Sequence, residues 1–367
     1  MKVCILGWYG TETLGDRAIL DGIIKIFESF QKDVYFNLGS LYPFYTERTL
    51  YEDANLFGEN IRIFDEKSLS ELKKNVKDSD MVLMGGGPLM DLREMYLICE
   101  GFRYARRYHK PTLLCGCGFG PINEPEYMEV TKQLLDYTDL AIFRDKNSAE
   151  KAGTLCENKE KCCYLPDPAI VSVLDYKRKH SVTGNKDIAV NFRRFPKGYY
   201  GNSEFDVSDA AKLVSHMAKQ YESVKLVPMH TFYMGGDDRV FLNAIQREAK
   251  KENVELLNTP QSLYATYKLF AKAGACVGMR YHSVVMQTIL NGNNFIIDYT
   301  ANQKGGKIAS FIEETDGSGF YNERKADIND LQHIETALDV LKKNTHFEYT
   351  EKTNIMKEYV KKIHTLM

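Results

Sequence analysis

The stretch VCILGWYGTETLGDRAILDGIIKIFESF, residues 3–30, decides the fold class of this chain. Residues 3–6 form an apolar run of strand length, and a turn that contains Gly7, Gly10 and Gly15 follows it. A helix is predicted next, because apolar side chains recur there at helical spacing: Ile19, Ile23, Ile26, Phe27 and Phe30. A strand, a glycine turn and an amphipathic helix in this order indicate the start of a βαβ unit.

The same alternation continues along the chain. Further strands are predicted at 33–38, 62–64, 81–84, 112–115, 140–143 and 162–165, and a second series at 188–192, 224–228, 254–257, 275–278 and 295–297. Residues 174–186 are polar and basic without periodicity, which is typical of a linker. We therefore expect an α/β protein with two Rossmann-like doubly wound lobes facing a cleft. Their expected bounds are 1–175 for the N-terminal lobe, 186–330 for the C-terminal lobe, and 331–367 for helices that pack back on the N-terminal lobe.

Composition excludes several classes of protein. The formal charge of the 367 residues is −2 and no long basic block occurs, so a general nucleic-acid binder is not expected. The eight cysteines are scattered without the spacing of a zinc site, which predicts a reducing compartment and no metal. Neither a signal-peptide core nor a run of about 18 apolar residues is found, so we expect a cytoplasmic protein.

Three glycine-rich turns follow predicted strands. They lie at residues 7–15, 85–87 and 116–120. The first lacks the G-x-G-x-x-G spacing, which argues against a nicotinamide cofactor. Each turn alone could be a tight connection at a sheet end, but together they favour a crevice floor that a ligand approaches closely.

Three arginines also follow predicted strands: Arg144, Arg193 and Arg280. Planar guanidinium groups suit a ligand that carries phosphate and carboxylate, although any one of them could be a structural ion pair. His282, two residues after Arg280, is the first candidate for proton transfer, and His230 is the second. Lys307 follows a glycine-rich turn and could reach the same crevice or be a solvated loop lysine.

Taken in order, these motifs resemble the polysaccharide pyruvyl transferase family over about residues 3–315. The set is Gly7-Trp8-Tyr9-Gly10 with Leu14-Gly15-Asp16, Gly85-Gly86-Gly87, Gly116 to Pro121, Arg144-Asp145, Asp167-Pro168-Ala169, Asp237-Asp238 and Arg280-Tyr281-His282-Ser283. The resemblance implies a glycosyltransferase-B-like fold. It also implies transfer of pyruvate from phosphoenolpyruvate to two hydroxyls of a sugar, with formation of a cyclic ketal and release of phosphate.

The resemblance assigns catalytic positions to four residues: Arg144, Arg280, His282 and Lys307. Substrate contacts are expected at Gly10, Trp8, Tyr9, Asp16, Gly86, Gly87, Arg193, His230, Tyr281 and Ser283. The family's Tyr-Asp-Pro-Lys turn is longer here, at residues 299–307, which leaves the choice between Lys304 and Lys307 open.

The implied donor is phosphoenolpyruvate, with no cofactor and no metal. The implied acceptor is a glycan or lipid-linked oligosaccharide of exopolysaccharide or capsule synthesis. We expect it at the N-terminal lobe, and we expect the Arg and His residues of the C-terminal lobe to bind the donor. The basic run at residues 103–110 is more typical of a solvated helix face, and a peripheral contact with the inner face of the membrane stays open.

The residue types fit this chemistry. We expect His282 to protonate the methylene carbon of phosphoenolpyruvate, so that a sugar hydroxyl adds to the adjacent carbon, while the arginines hold phosphate and carboxylate. Two alternatives remain. One is a nucleotide-sugar-dependent glycosyltransferase on the same fold. Such enzymes commonly bind the ribose diol with a carboxylate of the second lobe, and the scarcity of acidic residues from 280 to 312, where only Asp298 occurs, counts against this alternative. The other is a non-catalytic sugar- or anion-binding protein.

Overall fold

The computed structural model describes residues 1–195, 201–301 and 306–367. The chain divides into two compact units, one formed by Met1–Ser172 with Glu351–Met367 and the other by Val173–Thr350. The tail predicted at 331–367 is thus divided, since its first part belongs to the second unit and its last part to the first.

The first unit is a parallel α/β sheet with helices between the strands. Its strands are β1 (Lys2–Leu6), β2 (Tyr35–Ser40), β3 (Ile61–Asp65), β4 (Met81–Gly85), β5 (Pro88–Leu89), β6 (Thr112–Phe119), β7 (Leu140–Phe143) and β8 (Cys162–Tyr164). Its helices are α1 (Leu14–Phe30), α2 (Pro43–Glu52), α3 (Leu69–Lys77), α4 (Met95–Arg107), α5 (Pro125–Asp136) and α6 (Lys146–Gly153), and α7 (Ala169–Lys179) follows. The strand order is β3-β2-β1-β4-β6-β7-β8, with β5 beside β6. The order reverses between β1 and β4, where ligands of open α/β sheets bind.

The second unit repeats this architecture. Its strands are β9 (Asp187–Asn191), β10 (Ser223–Leu226), β11 (Val254–Leu256), β12 (Ala275–Gly278), β13 (Asn294–Asp298) and β14 (Lys325–Asp327). Its helices are α8 (Val207–Ala218), α9 (Asp238–Ala249), α10 (Leu263–Lys272), α11 (Tyr281–Leu290), α12 (Lys307–Thr315) and α13 (Leu331–Ala337). The strand order is β11-β10-β9-β12-β13-β14, and it reverses between β9 and β12.

Burial explains why the strand predictions succeed. Val3, Cys4, Ile5 and Leu6 of β1 are all fully buried, as expected for a central parallel strand covered on both faces. The predicted fold class, mixed α/β with two Rossmann-like parallel sheets, is confirmed. None of the helices in the described parts of the chain has the length and apolar character needed to cross a membrane.

One local prediction is wrong, and two short strands were not predicted. The linker expected at 174–186 begins inside α7, because the buried Val173 and Tyr176 give that segment a packed face; the Tyr176 ring also stacks on His180. Strands β5 and β14 were not predicted, because β5 has two residues and the sequence of β14, Lys-Ala-Asp, offers one apolar side chain.

The end of the chain, α14 (Ile355–His364), packs on the first unit. The Tyr359 hydroxyl donates a hydrogen bond of 2.9 Å to the carbonyl of Pro166, and the rings of His364 and Phe30 lie 4.6 Å apart. By contrast, α13 contacts α8 of the second unit.

Candidate functional site

Two of the predicted arginines lie at the switch point of the second sheet, which is the place where its strand order reverses. Strands β9 and β12 are neighbours there, and their last residues, Asn191 and Gly278, are register partners. Arg193 follows the first strand and Arg280 follows the second. Both side chains therefore leave the carboxyl edge of the sheet at the place where its strand order reverses.

Asn191 fixes the backbone at this edge. Its side-chain oxygen accepts hydrogen bonds from the Arg280 amide at 3.0 Å and from the Ser283 hydroxyl at 2.9 Å, and its side-chain nitrogen donates to the Val227 carbonyl at 3.0 Å. One fully buried amide thus joins the ends of three neighbouring strands. Sequence analysis missed this residue, although a polar residue that closes an apolar strand was a visible signal.

Asp238 orients the guanidinium of Arg280. Arg280 donates to the carboxylate through Nε at 2.8 Å and through Nη2 at 2.6 Å. The same carboxylate accepts the backbone amides of Met229 and His230 at 3.0 and 3.1 Å. Because four donors hold this buried carboxylate, the geometry of the Arg280 head group is fixed before any ligand arrives.

A cavity of about 510 Å³ opens beside Arg280 within the second unit. Its charged lining consists of three arginines and four carboxylates: Arg193, Arg194, Arg280, Glu204, Asp206, Asp237 and Asp238. Asp206 and Asp237 are the N-cap residues of α8 and α9, and each accepts a backbone amide of its own helix. Arg194 pairs with Glu204 at 3.3 Å and Arg280 pairs with Asp238, so the lining carries charges of both signs. The volume lies in the range of small-molecule sites.

The two candidate histidines differ in their surroundings. His230 is buried, and its Nε2 lies 2.5 Å from the Met234 carbonyl oxygen. Burial, assisted by the charge of Arg280, lowers the pKa of His230 to about 4. The imidazole is thus neutral near pH 7. His282 is partly exposed in the first turn of α11, with its ring 5.0 Å from that of Tyr281.

The remaining predicted residues of the second unit lie around this edge. Ser283 is fully buried, and its hydroxyl lies 2.7 Å from the Arg280 carbonyl oxygen. Tyr281 is buried against Phe311, with ring centres 6.1 Å apart. Lys307 is the first residue of α12, and its Nζ lies 5.3 Å from the centre of the Tyr299 ring. Lys304, the alternative to Lys307, lies outside the described residues.

The first unit has its own switch point, between β1 and β4, and the predicted glycines and aromatic residues lie there. Trp8 and Tyr9 are buried, and the Tyr9 hydroxyl donates to the Gly85 carbonyl at 2.8 Å. Gly87 has a φ of +71°, and a Cβ at this position would overlap the Trp8 indole. Gly10 and Gly86 also have positive φ values, and Asp16 is partly exposed in the first turn of α1. The close packing of the Trp8 ring therefore explains why residue 87 is a glycine.

Glu66 is a buried acid at this edge that sequence analysis did not find. It follows β3 directly, and its Oε2 accepts a hydrogen bond of 3.4 Å from the Gly7 amide. Burial raises the pKa of Glu66 from 4.5 to about 8, and the amide of Gly7 opposes this shift only in part. A protonated carboxyl group thus lies beneath the first glycine turn at neutral pH.

Arg144 also belongs to the first unit. The side chain is almost fully buried, and its Nη1 lies 3.4 Å from the Asp167 carboxylate. Gly118 leaves room for it, since a Cβ there would lie 3.0 Å from Nη2. The structure therefore brings Arg193, Arg280 and His230 together in the second unit and holds Arg144 in an ion pair in the first.

The polysaccharide pyruvyl transferase family model matches residues 14–300 of this chain. No curated protein matches it. Among the described residues, no group of three or more His, Cys, Asp and Glu side chains is arranged to hold a metal ion.

Solved structures with the same fold cover the whole chain at low identity. The UDP-GlcNAc 2-epimerase from Neisseria meningitidis bound to UDP-GlcNAc is 13% identical, with a TM-score of 0.60 over 100% of this chain and 95% of that one. The UDP-GlcNAc 2-epimerase from Methanocaldococcus jannaschii is 11% identical, with a TM-score of 0.62 over 100% and 99%. Anabaena Alr3699/HepE in complex with UDP and glucose is 12% identical, with a TM-score of 0.54 over 100% of both chains.

These structures establish the fold alone, and they agree with the expected glycosyltransferase-B-like class. The family model, in contrast, covers most of the 367 residues and includes the switch point of the second sheet and the arginine-bearing strand ends. The chain belongs to the polysaccharide pyruvyl transferase family.

Proposed function

We propose that this protein transfers pyruvate from phosphoenolpyruvate to two hydroxyls of a sugar in a polysaccharide or its lipid-linked precursor. The observation that carries the proposal is Arg280, held by Asp238 at the edge of a cavity that Arg193 and Arg194 also line. Together with membership of the family, this arrangement favours a small donor that bears both phosphate and carboxylate.

The arginines supply binding and charge stabilisation. Arg280 is fixed by Asp238, keeps 15% of its side chain exposed and lines the cavity. Arg193 adds positive charge along the same cavity, and Arg194 lies there paired with Glu204 at 3.3 Å. Preorganised cations of this kind stabilise the negative charge that develops on a leaving phosphate.

Proton transfer is assigned to His282. The low pKa of His230, caused chiefly by burial, leaves it without a proton to give near neutral pH. His282 is more exposed and lies two residues beyond Arg280. In the proposed reaction it protonates the methylene carbon of phosphoenolpyruvate, and a sugar hydroxyl bonds to the adjacent carbon. The bond to phosphate then breaks, a second hydroxyl bonds to the same carbon, and the protons of the hydroxyls return to His282 and to solvent.

The first unit is proposed to bind the acceptor. Asp16, partly exposed beside the first glycine turn, is the side chain of that set best suited to accept a hydrogen bond from a sugar hydroxyl. Trp8 and Tyr9 are buried, so their proposed part is to shape the turn that carries Gly10. Arg144 retains its family-implied catalytic assignment as a proposal, and so does Lys307.

The test measures phosphate release and glycan mass together. Purified protein is incubated with phosphoenolpyruvate and candidate glycans, and phosphate should appear in step with glycan that has gained one pyruvate ketal. Asp238→Asn should reduce kcat/KM at least tenfold, because it weakens charge-assisted hydrogen bonds worth about 1.5–3 kcal/mol each. His282→Ala should abolish turnover with the fold intact.

Asp339→Asn is the matched control, since this exposed aspartate of the second unit lies outside the cavity lining. Consumption of a nucleotide sugar without release of phosphate from phosphoenolpyruvate would refute the proposal and support the glycosyltransferase alternative. Binding of phosphoenolpyruvate without turnover on any glycan would support the binding-protein alternative.

A further inference from the structure

Two cysteine thiols of the first unit lie in contact at the end of its sheet. Cys156 follows α6, Cys162 is the first residue of β8, and their Sγ atoms are 3.6 Å apart. Residues 157–161 connect them through an exposed turn that ends in a short 3-10 helix, Lys159–Lys161. The fold thus holds two sulfur atoms together across a short loop.

The two thiols differ in exposure and in hydrogen bonding. Cys156 is buried, and its thiol donates a hydrogen bond to the Ala152 carbonyl oxygen, 3.4 Å from the sulfur. Because a thiol has one hydrogen, the hydrogen that lies between the two sulfur atoms belongs to Cys162. Cys162 is partly exposed. A reagent from solvent therefore reaches Cys162 first, with Cys156 behind it as the second thiol.

Only a small movement separates this contact from a covalent bond. The S–S bond of a disulfide is about 2.05 Å long, so the two sulfur atoms must approach by about 1.5 Å. Strand β8 is the last in the strand order of its sheet, with β7 as its neighbour. Side-chain rotation and a slight shift of this edge strand can supply the approach, because no further strand opposes it.

The thiols lie at the opposite edge of the sheet from Arg144. Arg144 follows β7 directly and precedes α6, whereas its ion-pair partner Asp167 follows β8. Strands β7 and β8 are parallel, and Cys162 is the register partner of Ala141 near the start of β7. A bond between the thiols therefore closes the connection from α6 to β8 at the amino edge and leaves the ion pair at the carboxyl edge unaltered.

Cys163, the next residue, offers a comparison within the same strand. It is partly exposed like Cys162. Successive side chains of a strand point to opposite faces, so Cys163 faces away from Cys156. On its own face it is under the influence of the positive charge of Lys362 in α14. Cys163 is thus a neighbour of similar exposure that the geometry does not pair with Cys156.

We propose that Cys156 and Cys162 form a dithiol site, which a small disulfide such as glutathione disulfide oxidises to an internal disulfide bond. The Cys162 thiol loses its proton and attacks one sulfur of the small disulfide, which gives a mixed disulfide and releases one small thiolate. The Cys156 thiol then loses its proton and attacks the sulfur of Cys162, so the internal bond forms and the second small thiolate leaves. The two thiolates take up the two protons. Both cysteines are oxidised, and one small disulfide is reduced to two thiols.

Burial controls the rate of this reaction. Burial raises the pKa of Cys162 to about 12, and the thiols of Cys156 and Cys163 add to the effect, whereas the charge of Lys161 opposes it. Little thiolate is present near pH 7, so the reaction is slow there and faster at alkaline pH. Once formed, the bond restricts the unfolded chain and should stabilise the first unit. The inference does not depend on the proposed donor or acceptor.

Peptide mapping of the full chain tests the site. Reduced protein is incubated with glutathione disulfide at pH 8.5, which should lower the intact mass by two hydrogen atoms. The remaining thiols are then alkylated, and trypsin cuts after Lys151, Lys159, Lys161 and Lys177. The new bond should link peptide 152–159 to peptide 162–177. Fragmentation between residues 162 and 163 identifies the linked cysteine in the wild type itself, so the test does not require that any variant folds.

Matched variants separate the roles of the three cysteines. Cys163→Ser should keep the link, Cys162→Ser should lose it, and Cys156→Ser should stop at the mixed disulfide and carry one glutathione. The urea midpoint of the wild type, followed by Trp8 fluorescence, should be higher after oxidation and return to its first value after reduction. Absence of the link in the wild type, a link through Cys163, or a lower urea midpoint of the oxidised protein would overturn the inference.

Discussion

Replacement of Glu66 by Gln should remove a pH dependence from the stability of the first unit. The wild-type carboxyl is fully buried, accepts a hydrogen bond from the Gly7 amide and has its pKa raised by burial from 4.5 to about 8. Gln has nearly the same shape as protonated Glu and can keep the bond to Gly7, but it cannot ionise. The variant therefore resembles the acid form of the wild type at every pH.

The sign and size of the effect follow from proton linkage. The folded state binds the Glu66 proton more tightly than the unfolded chain, so this contribution is fully present below pH 4.5 and is lost as pH rises through about 8. One pH unit corresponds to about 1.4 kcal/mol, which gives a loss of about 2.5 kcal/mol between pH 5 and pH 7. The free energy of unfolding of Glu66→Gln, relative to wild type, should increase by about this amount over that interval.

Urea unfolding at pH 5, 6, 7 and 8 measures this difference. Trp8 is the single tryptophan of the sequence, so its fluorescence follows the first unit. Subtracting the unfolding free energies of the two proteins at each pH removes the contributions of titratable groups that both contain. Glu59→Gln, at an exposed position, is the matched control. If Glu66→Gln and wild type differ by the same amount at pH 5 and at pH 7, the carboxyl group is not held protonated by burial and the reasoning is wrong.

Two further predictions concern the histidine and the glycine of the candidate sites. Burial is the main cause that lowers the pKa of His230 from 6.5 to about 4, so its contribution to stability is present above pH 6.5 and is lost as pH falls through about 4. In acid unfolding experiments over this pH range, the free energy of unfolding of His230→Gln should therefore fall by about 3 kcal/mol less than that of the wild type. Equal decreases in the two proteins would contradict this prediction. Gly87→Ala should displace the Trp8 indole, shift its fluorescence to longer wavelength and cost about 1–3 kcal/mol. Gly201→Ala, with a similar φ of +75° but no heavy atom within 4 Å of the added Cβ, is the control that should leave the emission unchanged.

Much of the architecture was predictable because burial leaves a periodic record in the sequence. The central strands are apolar runs, and every strand predicted from such a run lies in one of the two sheets. The exceptions have local causes. Strand β14 is short and two-thirds polar, and α7 extends into the segment taken for a linker because Tyr176 supplies it with a buried aromatic face.

The candidate site was predictable only in part. Arg193 and Arg280 could be assigned to the carboxyl ends of strands, because the position of a residue after an apolar run is a local property. Asp238 lies 42 residues before Arg280, and no local pattern indicated that these two would pair. Glu66 was missed for the same reason, since its partner Gly7 is 59 residues away.

The sequence by itself determined the class of fold, the carboxyl-end location of the arginines and the family to which the chain is similar, because each of these depends on residue order and short-range spacing. The tertiary structure alone decided which groups meet: Asp238 with Arg280, and Asn191 with the end of β12. The physical reason is that strand order and register bring distant segments together at the edge of each sheet, and burial there shifts the pKa values of Glu66 and His230.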